Sequence, residues 1–169
     1  MTFANLTKLI LAATLLPVGC ATAPPLDIGW QPAEDSAELT AMARRAFDLV
    51  NEHRAARGLR VLKWDARIVP VARRHSAAMA QGRRPFSHRH FQARAQDIRR
   101  FRPFSKCSEN LALNYGHTDP AARALQSWHE SASHREAMEA PFTHTAIAIA
   151  IAKSVVGKYY FTQIFVRAH

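Results

Sequence analysis

The sequence predicts an α+β domain whose helices cover an antiparallel sheet, and three observations carry that expectation. Apolar residues recur at spacings of three and four from Ser36 to Arg57 and again beyond Asp65, which is the period of amphipathic helices. The segment HTAIAIAIAK at 144–153 alternates strictly, with Ile147, Ile149 and Ile151 on one side and alanines on the other. A second strand-like run, YYFTQIFVR, follows a turn near Ser154–Lys158 and completes a C-terminal hairpin.

In chain order, the first helix carries Leu39, Met42, Ala46, Leu49 and Val50 on its apolar face and ends at Gly58. Residues 59–64 run extended to Asp65, whose carboxylate suits the N-cap of a second helix through Ile68, Val71, Ala72, Ala78 and Met79 to Gly82. Pro70 falls in that helix's first turns, where its missing N–H costs nothing. Residues 83–106 contain Pro85 and Pro103 and no clean period, so they read as a long functional loop with room for a short helix near 91–100. Glu109 to Tyr115 reads as a short strand closed by Gly116. Asp119-Pro120 then opens a helix with Asp at the cap and Pro at the first position. Ala121, Leu125, Trp128 and Ala132 form its stripe and Pro141 marks its end. Alanines on one face of the hairpin would let helices pack closely there.

A chain of 169 residues, 48% hydrophobic and 21% charged, is long enough for one domain with a real core. This composition excludes wholesale disorder, collagen and a disulfide-dense miniprotein, and no apolar run reaches the roughly 18 residues of a spanning helix. Residues 1–19 have a signal-peptide layout: Lys8, an apolar stretch from Leu9 to Leu16, and Val18-Gly19 before Cys20. This resembles a bacterial lipoprotein signal, with Cys20 the acylated new N-terminus; an ordinary secretory signal is the alternative. Both readings export the chain. Residues 20–37 then form a Pro-rich tether, and 38–169 the folded domain. With Cys20 lipidated, Cys107 is left without a disulfide partner; Cys20–Cys107 pairing is the weaker reading.

The net charge of +10 is concentrated. Residues 83–106 hold Arg83, Arg84, Arg89, Arg94, Arg99, Arg100, Arg102 and Lys106 against Asp97 alone, whereas the rest of the chain without its leader is close to balanced. An exported protein with such a segment suggests an anionic envelope surface, and export argues against nucleic acid despite the interleaved Phe91, Phe101 and Phe104. Reversing Arg99, Arg100 and Arg102 is expected to abolish that adhesion with little loss of stability.

Six segments in register resemble the CAP superfamily, the SCP-type domain of cysteine-rich secretory proteins, antigen 5 and pathogenesis-related proteins. They are Asn51-Glu52-His53-Arg54; Leu62-Lys63-Trp64-Asp65; Phe86-Ser87-His88; Glu109-Asn110-Leu111-Ala112; Trp128 with Ser131, His134 and Arg135; and Phe142-Thr143-His144 with the final strand. The resemblance implies a three-layer α-β-α sandwich with a cleft lined by histidines and acids. The matching positions are His88, Glu109 and His144, and His134 joins them if its helix ends or bends around Ser131–Ser133. Ser131 stands where many eukaryotic members have glutamate, and Ala146-Ile147-Ala148 replaces a glycine-rich bacterial strand.

Neutral imidazoles with a carboxylate suit Zn²⁺, so His88, His144 and Glu109 are a candidate metal set. The same groups are candidates for acid–base catalysis, or for simply hydrogen-bonding a structural water. Two functions follow as expectations: an exported, lipid-anchored module binding a lipid or cell-wall component, or a metal-assisted or Cys-His hydrolase of peptide or wall substrates. Glu130 reads as a solvated i,i+4 residue, Trp128, Trp64 and Phe165 as core, and Cys107 as a small buried hydrophobe.

Overall fold

The computed structural model describes residues 36–152, 154–155 and 157–169, so the expected leader, most of the tether and Cys20 lie outside the described residues. Helix α1 spans Ala37–Ala55, capped by Ser36, whose hydroxyl accepts from the Leu39 amide at 3.1 Å. It buries Leu39, Ala43, Ala46 and Val50. Two polar side chains near its end tie it to the rest of the chain. Asn51 donates to the Leu62 carbonyl at 3.1 Å and accepts from the Leu62 amide at 2.7 Å. The buried Arg54 donates to the carbonyls of Arg60 (2.8 Å), Ala140 (2.9 Å) and Met138. The N-x-x-R pattern is thus a clamp joining three backbone segments.

Strand β1 is only Lys63–Trp64, and helix α2 runs Val69–Ala80 with Pro70 in its first turn. Asp65 does not cap α2 as expected. A turn intervenes, with the Ile68 amide bonding to the Asp65 carbonyl at 3.0 Å. The buried Asp65 carboxylate instead accepts from the Arg67 amide at 3.1 Å and pairs with the guanidiniums of Arg67 and Arg102.

The basic segment is ordered rather than one long loop. Helix α3 occupies Phe91–Arg99, and β2 begins at Phe104 and runs to Tyr115. β2 is longer than its sequence pattern suggests because it pairs with β4 (Lys158–Ala168) from Phe104↔Ala168 to Tyr115↔Lys158, with one register shift between Phe104 and Lys106. Helix α4 spans Pro120–Glu130, with the Asp119 carboxylate accepting from the Ala122 amide at 3.1 Å. The chain then breaks at Ser131 (φ −89°, ψ 120°), and a separate helix α5 runs Ala132–Glu139. β3 is His144–Ile151.

Among the described residues the strands form one sheet in the order β1-β3-β4-β2. β3 and β2 each run antiparallel to β4, but β1 pairs parallel with β3 through Lys63↔His144 and Trp64↔Thr145. The sheet is therefore mixed rather than wholly antiparallel; a two-residue strand has no period from which its direction could be read.

The hairpin's alternation sets the layers. Ile147, Ile149, Phe161 and Phe165 pack with Leu39, Val50, Trp128 and Met138 beneath α1, α4 and α5. Ala146, Ala148, Ile164 and Val166 face the other way, against Ile68, Val71 and Ile98 of the α2–α3 side. Each fully buried isoleucine contributes roughly 1.5–3 kcal/mol of apolar transfer. The small alanines keep β3 and α2 in close contact: the Ser76 hydroxyl of α2 donates to the Ala148 carbonyl at 3.1 Å. The result is a three-layer α-β-α sandwich.

Candidate functional site

Strand alternation sends Glu109 and Asn110 of β2 to opposite faces of the sheet, and each fixes a different element. The Glu109 side chain is 1% exposed. Arg94, from α3, clasps it with two parallel bonds, Nε to Oε2 and Nη2 to Oε1, both 2.7 Å. His88 Nδ1 lies 3.0 Å from Oε1, and because an ionised carboxylate can only accept, Nδ1 carries the proton. The same arginine donates through Nη1 to the Arg89 carbonyl at 3.0 Å, which holds the loop bearing His88. His75, buried in α2, donates Nε2–H to the Ser87 carbonyl at 3.1 Å. On the opposite face Asn110 donates to the His134 carbonyl at 3.0 Å and so anchors α5. The break at Ser131 turns that helix so that the His134 ring lies 6.0 Å from the His88 ring, tilted by 46°.

Burial is the largest influence on Glu109 and pushes its carboxyl up. The bonds from His88 and Arg94 and the charge of Arg94 outweigh it, leaving the carboxyl below the usual range. Burial pulls His75 down, helped by Arg94, and pulls His134 down, helped by His88. Burial, reinforced by Glu109, pushes the Cys107 thiol up to about 12, which holds it in its protonated form at neutral pH.

His88, Glu109 and His134 are thus brought together, and His144 is not. His144 starts β3, its Nδ1 is 2.9 Å from the Thr143 hydroxyl, and burial followed by the charge of Arg102 lowers its pKa; Asp65, Lys63 and Arg67 are its other charged neighbours. Glu109 lies across from Ile164, which lies across from Ala146. His144 is therefore two strands and two residues away from Glu109, about 12 Å by the spacing of the ladder. The candidate zinc set His88, His144 and Glu109 is not gathered. Among the described residues no group of three His, Cys, Asp or Glu side chains is placed to hold a metal ion. The donor chemistry also does not fit one, since both oxygens of Glu109 are engaged and a guanidinium already supplies the positive charge.

Sequence reasoning missed Arg94 and His75. A carboxylate at the start of a buried strand requires a counter-charge, and residues 83–106 offer eight, but nothing in their spacing singles out Arg94. Elsewhere, Glu130 is exposed and accepts from Gln126 four residues earlier at 2.8 Å. Trp128 is core, its indole N–H donating to the Leu111 carbonyl at 2.9 Å. Trp64 is half-buried, with the Arg44 guanidinium 4.0 Å from its ring centre.

The three-layer α-β-α sandwich is consistent with an SCP-type domain. The chain belongs to the cysteine-rich secretory protein (CAP) family, whose sequence profile matches residues 47–165. An extracellular protein containing an SCP domain from Bacillus anthracis is similar in structure, with TM-score 0.60 and 28% identity, covering 76% of this chain and 41% of its own. An outer surface protein of Borrelia burgdorferi (TM-score 0.65, 19% identity, 76% of this chain and 94% of its own) shares the fold. So does a cysteine-rich secretory protein of Staphylococcus aureus (0.59, 16%, 78% and 40%). This chain spans about two fifths of the Bacillus and Staphylococcus proteins. No curated protein matches it.

Proposed function

We propose that this chain is an exported lipoprotein, held to the bacterial cell envelope by acylated Cys20, whose domain binds an anionic lipid or cell-wall component. The ligand contacts the site built by His88, Glu109 and His134 together with the exposed cations around it. The observation that carries this reading is the engaged carboxylate. With Glu109 closed by Arg94 and His88, the groups left to a ligand are the imidazoles and neighbouring guanidiniums, a set that favours anions. The His88 side chain is 50% exposed and accessible to one. The extracellular, outer-surface and secretory descriptions of the three similar proteins support export.

One geometric feature favours a second reading. His88 donates Nδ1–H to Glu109, so its Nε2 is free to take a proton from water, which is general-base hydrolysis without a metal. One experiment separates the two. The full chain, purified from its membrane, is examined by native mass spectrometry for co-purified lipid or wall fragments and assayed on peptide and wall substrates, beside His88→Ala. A bound anionic species that His88→Ala loses supports binding, and cleavage that His88→Ala abolishes supports hydrolysis. A chain carrying no ligand and cleaving nothing ends both readings.

A further inference from the structure

We propose that the cavity between α2 and α3 is a binding site for a phosphate group. The inference names the chemistry of the anionic ligand and rests on the binding reading for that ligand's source. The cavity, about 150 Å³, is lined by Arg74, His75, Arg84, His90, Arg94 and Asp97 among others. Three guanidiniums and two imidazoles thus meet one carboxylate, and that carboxylate is occupied by Arg74 at 3.3 Å and Arg100 at 3.2 Å.

Each cation is fixed differently. Arg94 is buried and locked by its fork on Glu109, so its position is set before any ligand arrives. Arg84 is held at the backbone, its amide bonding to the Ala78 carbonyl at 3.1 Å, whereas its guanidinium has no hydrogen-bond or ion-pair partner among the described residues. His90 adopts a left-handed conformation (φ 62°, ψ 22°), and no other described non-glycine residue has positive φ. Such a conformation is disfavoured outside glycine, and it persists here on the cavity wall at the start of α3. The first turn of α3 contains no acidic residue to offset its partial positive charge.

Phosphate fits better than carboxylate. Guanidinium forks pair with both, but the whole fork of Arg84 and the Arg74 donors not spent on Asp97 together offer more than two carboxylate oxygens can fill, while Arg94, engaged by Glu109, Arg89 and His88, borders the cavity as a fixed wall. The cavity volume is several-fold the roughly 10–15 Å³ that a single water needs. A phosphate group can enter, while the rest of a lipid or polymer remains outside.

The test titrates the full-length protein in detergent with inorganic phosphate at low ionic strength, by calorimetry. Saturable one-to-one binding is expected, weakened roughly tenfold or more by Arg84→Gln. Arg60→Gln, at an exposed arginine after α1 that does not line the cavity, should change it less than about twofold. A second arm measures binding to phosphatidylglycerol vesicles in competition with phosphate. Competition that Arg84→Gln removes identifies a lipid headgroup as the source. Phosphate binding without such competition identifies free or wall-polymer phosphate. Absence of saturable phosphate binding, or equal weakening by both substitutions, overturns the site. If vesicle or wall binding survives that result, the anionic-envelope reading stands without this site; if it is lost as well, both fall.

Discussion

Glu109 is tolerable inside the protein only because two partners close on it. Removing one leaves a buried, unpaired charge, so Arg94→Ala should cost about 3–5 kcal/mol in urea unfolding, well beyond an exposed arginine's contribution. The titration of buried groups sets a pH dependence with two windows. Burial, as the largest cause, lowers the pKa values of His53, His75, His134 and His144. The fold prefers them neutral, so their contribution is complete above the unfolded imidazole pKa, about 6.5, and declines as pH falls below it. For Glu109 and Asp65, burial raises the carboxyl pKa, but the bonds from His88 and Arg94, and from Arg67 and Arg102, outweigh it. Their contribution is present above the unfolded carboxyl pKa, about 4, and is lost as pH falls through the lower folded value. The urea midpoint should therefore drop between pH 7.5 and 5.5, before any carboxylate titrates. His75→Gln, which can still donate to Ser87, should flatten that drop; an unchanged slope would assign it to the other histidines.

The decisive event among the elements is the break between α4 and α5. Ser131 already has the extended backbone that a residue before proline prefers, and Ala132 is the first residue of a new helix. Ala132→Pro should therefore be accepted, with thermal stability unchanged or raised by about 0.4–1 kcal/mol. In an unbroken helix the same change would cost about 3 kcal/mol or more. Calorimetric melting of that variant measures the break directly. The long amphipathic helices and the alternating hairpin were legible in the sequence because each repeats its period several times. Three features were not: β1 is too short to have a period, β2's polar first half is held by its partner strand, and the basic segment's helix carries no strong stripe. At the site, His88 and Glu109 could be named from local motifs. Choosing His134 over His144 required the direction α5 takes after Ser131, which a three-dimensional turn decides. Arg94 was hidden among seven other cations because pairing across the fold leaves no spacing in the chain.

Across the whole molecule the basic segment is only partly free charge. Arg94 is spent on Glu109, and Arg102 on the buried Asp65. Reversing Arg102 would place a second carboxylate beside Asp65, so the expected harmless triple reversal at Arg99, Arg100 and Arg102 should instead unfold or weaken the domain. Arg89, Arg99 and Lys106 are exposed, and reversing those three to glutamate should preserve the melting temperature. It should also remove most salt-sensitive binding to anionic vesicles, because exposed charges are screened beyond about 8 Å at physiological ionic strength. Sedimentation with vesicles at low and high salt reads both effects; retained binding in the reversed protein would locate adhesion elsewhere.

The strand order carries a kinetic consequence. β4 is the last strand in chain order, yet it lies between β3 and β2, and β2 finds its ladder partners there on both sides of a register shift between Phe104 and Lys106. Synthesis therefore delivers the helices, β2 and β3 before the strand that joins β2 to β3. Until that strand emerges, β2 and β3 lack the strand that joins them, and long-range pairing of this kind is the slow part of folding. Residues 104–151 therefore leave synthesis without the strand that joins their sheet, and cooperative folding of the domain waits on residues 158–168.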